Sequence, residues 1–124
     1  MIGFYPEHLI VKDLENGLWE LQEPLFYDHH DGRSWMVPRK QVTDFGSVPL
    51  IVDWFIPASA SIADRPYVLH DYLYFCNRHG YSKCRSRKDA DDILYFTLRL
   101  VGVDCVRSWL IYRAVRLAGG GAWG

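Results

Sequence analysis

The fold is organised around one helical stretch, residues 64–80, which reads DRPYVLHDYLYFCNRHG. Asp64 can cap the start of a helix, Pro66 is tolerated in a first turn that does not use its N–H, and Gly80 supplies a stop. These signals predict a helix of roughly residues 65–78. Its apolar arc contains Val68, Leu69, Tyr72, Leu73, Phe75 and Cys76. We therefore expect this helix to bury one face.

The same helix carries the residue types that acid–base chemistry requires. His70 and Tyr74 are four residues apart, so they lie on one side of the helix, at the boundary of its apolar face. Asp71 points about a quarter of a turn away from His70, because successive helical residues are rotated by about 100°. The neighbours His70 and Asp71 therefore need not pair with each other, and each can address a different partner.

Two further helices follow. Ser86 and Asp89 form a capping box that predicts a helix to about residue 101. The last helix, about residues 104–117, is apolar nearly all round, which indicates a central position or a protein interface. Arg113 interrupts it and requires either a carboxylate partner or a route to solvent.

Asp91 stands at the head of the core-facing stripe of the second helix, whereas Asp92 points outward. A carboxylate at the edge of a core must be paired, hydrogen-bonded or neutralised, because burying it alone costs several kcal/mol. The expected partners of Asp91 are His70 or an arginine of the last helix.

The N-terminal part predicts a small antiparallel sheet. Four short apolar-rich runs indicate strands at residues 8–11, 18–21, 25–27 and 35–37. Asn16-Gly17 favours a tight turn between the first two, and a polar segment joins the last two. Within that segment, His29 and His30 are adjacent and would point to opposite faces of a strand, so we interpret the segment as a solvated turn and not as a metal site.

The elements together predict an α+β class with about four strands followed by about four helices. We expect a single domain, residues 1–124, with a β portion at 1–38, a helical portion at 47–117 and a flexible tail at 118–124. Ser47 and Pro49 predict a short helix over about residues 48–55. Asp44 precedes it, where free backbone N–H groups can fix its carboxylate, either to brace the loop or to serve a site.

Composition limits the classes of partner. The chain has 14 Lys and Arg against 15 Asp and Glu, a net charge of -1, so no overall charge attracts it to nucleic acid. No apolar run approaches the roughly 20 residues of a transmembrane helix, and no signal-peptide pattern begins the sequence. Cys76, Cys84 and Cys105 are an odd number without C-x-x-C spacing, which favours a reducing compartment such as the cytoplasm.

Four ordered motifs carry a family resemblance. They are Thr43-Asp44-Phe45-Gly46-Ser47-Val48-Pro49, Leu69-His70-Asp71-Tyr72-Leu73-Tyr74, Ser86-Arg87-Lys88-Asp89-Ala90-Asp91 and Tyr112-Arg113-Ala114-Val115-Arg116. This pattern resembles domain-of-unknown-function family 1353, a family of small bacterial and phage proteins. The resemblance implies a phage or prophage setting near tail or lysis genes. It also implies other phage proteins as partners, and a location in the bacterial host cytoplasm or in a virion.

A second likeness is local. His70-Asp71-Tyr72-Leu73-Tyr74 is similar to the His-Asp-x-x-Tyr helix of secreted phospholipases A-two. It implies that His70 activates water, that Asp71 holds calcium, and that Asp91, on a second helix, orients the histidine. The chain departs from that family at Leu69, where a half-cystine is expected, and it has no cysteine- and glycine-rich calcium loop before the helix.

Two functional hypotheses follow from the residues. In the first, the protein is a hydrolase in which His70, oriented by Asp91, takes a proton from water, while Asp44 and Asp71 bind a divalent cation or act as acid and electrostatic clamp. In the second, it is a noncatalytic phage tail, tip or assembly protein, and the same cluster is a polar brace. Convergence of the carboxylates on His70 favours the first hypothesis, and scattered carboxylates would exclude it.

Overall fold

The computed structural model describes residues 2–15, 18–43 and 63–124. Within these ranges, six short strands precede four helices. The strands are β1 Gly3–Tyr5, β2 Val11–Asp13, β3 Trp19–Leu21, β4 Leu25–Asp28, β5 Ser34–Val37 and β6 Val42–Thr43; the helices are α1 Asp64–Arg78, α2 Arg87–Leu100, α3 Cys105–Ala118 and α4 Gly120–Trp123. The predicted α+β class is confirmed. The helix predicted at about residues 48–55 and the candidate site residue Asp44 lie outside the described residues.

The strands form two antiparallel sheets of three strands, in the orders β1-β4-β5 and β2-β3-β6. The sequence indicated one sheet of about four strands. The difference arises from β1 and β6, which have only three and two residues and so are too short to show an alternating pattern. In the β4–β5 hairpin, Leu25 pairs with Val37 and Tyr27 with Trp35, which places all four side chains on the buried face.

Side chains cap the starts of α2 and α3. The Ser86 hydroxyl accepts the Asp89 N–H at the start of α2, and the Asp104 side chain accepts the Arg107 N–H at the start of α3. Asp64 is the first residue of α1 and not its cap. Since α2 packs against both α1 and α3, it is the central helix of the described part.

Two clusters of buried apolar side chains fill the interior. The larger lies between the strands and α1 and includes Leu21, Leu25, Val37, Leu69 and Leu73. The smaller includes Leu94, Leu98, Val103, Ile111 and Val115 and joins α2 to α3. Because α1 and α3 both pack on α2, side chains from the three helices can meet at one point beside these cores.

An arginine clamp ties the β4–β5 turn to the start of α2. Arg33 donates to both oxygens of Asp89, at 2.7 and 3.1 Å, and also to Asp31 at 2.7 Å. The Arg33 guanidinium is the main cause that lowers the pKa of Asp89. The Trp35 indole N–H adds a 2.7 Å bond to the Lys83 carbonyl. These bonds fix the orientation of α2 relative to the hairpin.

The prediction of a wholly solvated turn at residues 28–33 is wrong for one residue. His29 is buried, with its Nδ1 atom 2.7 Å from the Tyr27 hydroxyl and its ring edge-on to Phe96 of α2. Burial lowers the pKa of His29. His30 is exposed, as expected. Among the residues that the structure describes, no group of three or more His, Cys, Asp or Glu side chains could hold a metal ion.

Residues 118–124, for which the sequence favours a flexible tail, include the short helix α4. Trp123 lies edge-on to Tyr74 of α1, and its carbonyl accepts a 2.7 Å bond from Asn77. Arg78 donates to the Ala122 carbonyl at 2.7 Å. The end of the described chain is thus attached to the helix that carries His70.

None of the helices within the described ranges combines the length and apolarity needed to cross a bilayer.

Candidate functional site

The candidate site is built around one buried aspartate. Asp91 has no exposed surface and accepts three hydrogen bonds from side chains of two other helices. Its Oδ1 atom lies 2.7 Å from Nε2 of His70 and accepts the Tyr74 hydroxyl at 2.5 Å. Its Oδ2 atom accepts Nη1 of Arg116 at 2.8 Å. The two oxygens therefore have separate partners, an imidazole and a phenol on one and a guanidinium on the other.

Helical spacing brings these groups together. His70 and Tyr74 are one turn apart on α1, and their ring centroids are 4.3 Å apart. Asp91 lies in the second turn of α2 on the side that faces α1, and Arg116 lies in the last turn of α3. His70 and Tyr74 were expected at the boundary of the buried face. Both are buried, because Asp91 approaches them from α2 and Trp123 packs against Tyr74.

The electrostatics keep Asp91 ionised. Burial by itself would raise the pKa of Asp91, but hydrogen bonds from His70, Tyr74 and Arg116 lower the pKa below its ordinary value. Burial is the main cause that raises the pKa of the Tyr74 phenol, and the neighbouring Asp91 raises it further. The hydroxyl therefore keeps its proton and donates it in a hydrogen bond. The bond to Asp91 raises the pKa of Arg116. Three donors therefore surround a single carboxylate anion.

This arrangement fixes the tautomer of His70. An ionised carboxylate only accepts hydrogen bonds, so Nε2 of His70 carries the hydrogen that faces Asp91. In neutral His70 the free lone pair is then on Nδ1. The His70 side chain keeps 7% of its accessible surface. His70 therefore has the form of a general base whose second nitrogen is held by a carboxylate.

The sequence anticipated the centre of this cluster and not all of its members. It offered His70 or an arginine of the last helix as the partner of Asp91, and the structure brings both to it. The hydrogen bond from Tyr74 was missed, although its i, i+4 spacing from His70 was the available signal. Asp71 is half-buried on α1 and is not among the partners of Asp91. The proposed pairing of Asp71 with the loop of Asp44 falls outside the described residues.

The end of α3 is packed tightly behind the site. Arg87 donates to the carbonyls of Val115 and Arg116, at 3.3 and 3.1 Å. Gly119 is buried between these groups and Tyr74. A Cβ atom on Gly119 would lie 2.6 Å from the Val115 carbonyl oxygen and 2.9 Å from the Tyr74 hydroxyl. Only glycine fits here without displacing a group that bonds Asp91.

Gly119→Ala should therefore disturb the site from outside it. We expect the free energy of unfolding to fall by about 1–3 kcal/mol, the usual effect of forcing an extra methyl group into a packed interior. The measurement is urea denaturation followed by tryptophan fluorescence. Gly120→Ala is the matched control, because a Cβ atom on Gly120 meets nothing within 4 Å. Equal stability of the two variants would contradict the close approach at Gly119.

A family model covers the part of the chain that carries most of this cluster. The family model described as "Protein of unknown function (DUF1353)" matches residues 19–115, a range that includes His70, Tyr74 and Asp91. The chain belongs to this family. No curated protein and no solved structure matches the chain. Membership in DUF1353 confirms the family resemblance drawn from the motifs, and the family description assigns no reaction.

Proposed function

We propose that this DUF1353 protein is a hydrolase in which His70 is the general base that activates water and Asp91 is the residue that orients it. The observation that carries the proposal is the 2.7 Å contact between Nε2 of His70 and the fully buried Asp91. A carboxylate in this position selects the tautomer that leaves Nδ1 as the acceptor. It also stabilises the imidazolium that forms when the proton is taken.

The reaction can be written from these groups. Nδ1 of His70 removes a proton from water as the water oxygen forms a bond to an electrophilic carbon, such as that of an ester or amide carbonyl. The imidazolium then returns the proton to the leaving group as the bond to that group breaks. Asp91 stays ionised throughout, because Tyr74 and Arg116 bond the same carboxylate. The likeness to the phospholipase A-two helix supports the same roles for His70 and Asp91.

A divalent cation is part of this proposal only through Asp71 and Asp44. Carboxylate oxygens are the ligands that hard cations such as Ca²⁺ prefer, so the two aspartates suit such a cation. Within the described ranges no set of three His, Cys, Asp or Glu side chains is assembled. Asp44 would be a further ligand beside Asp71, and carbonyl oxygens or water would complete the set. Such a cation would polarise the substrate carbonyl.

The second candidate function is noncatalytic, and one observation favours it. Asp91 receives donors from α1 and α3, and His70 is only 6% exposed, which is the form of a polar brace that fixes three helices together. In that case the protein is a phage tail, tip or assembly component that binds other phage proteins. The phage or prophage setting itself rests on the family resemblance.

The test is a substrate screen with a matched variant. Purified protein is assayed on bacterial cell-wall material and on phospholipid and simple esters, with added Ca²⁺ or Mg²⁺ and with chelator. We expect hydrolysis by the wild type and its loss in His70→Gln. Asp71→Asn and Asp44→Asn should remove only the part of the activity that depends on the cation. Hydrolysis that is equal in the wild type and in His70→Gln would reject His70 as the base.

A further inference from the structure

A surface cavity, separate from the Asp91 cluster, lies on the outer side of α2 and α3. It has a volume of about 210 Å³ and is lined by Asp92, Tyr95, Trp109 and Tyr112. Asp92 and Asp91 are adjacent in sequence and differ fully in burial, the first exposed and the second enclosed. The cavity therefore opens on the surface away from His70, and the proposed reaction makes no use of it.

Three of the four lining side chains are aromatic rings. Tyr95 and Tyr112 have their ring centroids 6.1 Å apart, with their planes at 75°. They thus pack edge to face against each other beside the cavity. Trp109 supplies the third aromatic side chain of the lining and is 53% exposed, and other apolar side chains of α3, such as Val106 and Leu117, are exposed as well. Aromatic faces carry partial negative charge, so a space bounded by three rings attracts cations.

One carboxylate in the lining favours a cationic ligand, and two cations of the protein lie beside it. The Asp92 carboxylate adds a full negative charge to the lining, and Lys88 donates to it at 2.8 Å. The guanidinium of Arg113 lies 5.8 Å from the centre of the Trp109 ring. Lys88 and Arg113 are both exposed. Two of the protein's own cations thus already contact lining side chains, and a cationic ligand would have to displace them.

We propose that this cavity, an aromatic cage formed by Tyr95, Trp109 and Tyr112 with Asp92, binds a quaternary ammonium group of the choline type. A quaternary ammonium carries a positive charge but has no N–H to donate, so it gains little from water and more from ring faces. A primary ammonium would instead donate hydrogen bonds to Asp92, as Lys88 does, and to water. The group could belong to free choline or to the headgroup of a choline lipid, since the cage recognises the same chemistry in both.

The test is a titration of choline chloride monitored by the indole N–H resonance of Trp109 in two-dimensional NMR. We expect a dissociation constant on the order of 1 mM, typical of a few partly exposed cation–π contacts. The uncharged analogue in which a tert-butyl group replaces the trimethylammonium group has the same shape. It should bind at least about tenfold more weakly, since it lacks the charge that the rings and Asp92 attract.

Variants locate the binding in the cage. Trp109→Ala and the shape-conserving Asp92→Asn should each weaken choline binding, the first by about tenfold or more. Lys88→Ala and Arg113→Ala should strengthen it, because they remove competing cations. Tyr5→Ala, which removes a 71% exposed aromatic ring elsewhere, is the control and should change nothing. For variants without the Trp109 resonance, the choline methyl signal is followed by saturation transfer.

A separate arm distinguishes the sources of the ligand. Sedimentation with vesicles of phosphatidylcholine, compared with vesicles of phosphatidylglycerol, shows whether the cage accepts a lipid headgroup. Binding to phosphatidylcholine that is lost in Trp109→Ala would support the proposal with a lipid source, and binding to choline alone would support it with a free ligand. Equal affinity for choline and its uncharged analogue, unchanged affinity in Trp109→Ala, or binding to neither choline nor phosphatidylcholine would overturn it.

Discussion

Replacing Asp91 with alanine is expected to lower the free energy of unfolding by about 3–5 kcal/mol, the usual cost of removing one partner from a buried charged network. The loss leaves the Tyr74 hydroxyl and Nε2 of His70 buried without their acceptor, and it leaves the Arg116 guanidinium without its counter-ion. Arg116 keeps a quarter of its side chain exposed and can turn partly to water, which places the expected value in the lower half of the range. Urea denaturation at neutral pH measures the change.

The neighbouring residue provides the control. Asp92→Ala removes an exposed carboxylate from the same helix, where its bond to Lys88 is a surface ion pair. Such pairs contribute about 0–1 kcal/mol, so the two variants should differ clearly. If Asp91→Ala costs no more than Asp92→Ala, the three hydrogen bonds to Asp91 do not stabilise the fold, and the brace hypothesis fails.

Periodicity in the sequence was sufficient to place Asp91 on the core-facing side of α2. Its position at the head of the stripe that Leu94 and Leu98 continue placed its carboxylate toward the core, and burial then required a partner. This inference succeeded because helical spacing is a local property and the capping residues fixed where α2 begins. The same logic predicts that Asp71 points away from His70.

Features that depend on distant segments could not be predicted in the same way. His29 is buried because Phe96 of α2 covers its ring, and nothing near residue 29 indicates this contact. The attachment of residues 120–123 to α1 depends on hydrogen bonds to Asn77 and Arg78, which a glycine-rich sequence does not signal. The division of the strands into two sheets depends on β1 and β6, whose pairing is set by tertiary packing and not by their own pattern.

A stabilising Asp91 network would not by itself make the protein a brace. Breaking a buried ion pair is costly, yet replacing all of its members by apolar groups of similar volume is often neutral or stabilising. A fold that needed only rigidity could therefore have joined α1, α2 and α3 with aliphatic side chains, as it does around Leu98 and Ile111. The polar cluster must be tested for a use besides stability, and His70 is the residue at which the two uses separate.

His70→Gln separates catalysis from bracing. The glutamine amide can place a donor near the position of Nε2, but it offers no nitrogen that can accept a proton. The bond to Asp91 can thus be kept as the base is removed. We expect the turnover of any substrate found in the screen to fall by about 10²–10⁴-fold, the usual contribution of a general base. Stability should change by no more than about 1–2 kcal/mol, since the hydrogen bond to Asp91 is retained. Parallel kinetics and urea denaturation measure both quantities.

Tyr74→Phe should lower stability more than it lowers turnover. It removes one donor from Asp91 and leaves His70 unchanged, so it should cost about 1–3 kcal/mol of stability while turnover falls far less than in His70→Gln. A large loss of rate in His70→Gln with little loss of stability would support the base. The reverse pattern, with activity retained and stability lost in both variants, would assign the cluster to the brace, because both residues donate a hydrogen bond to Asp91.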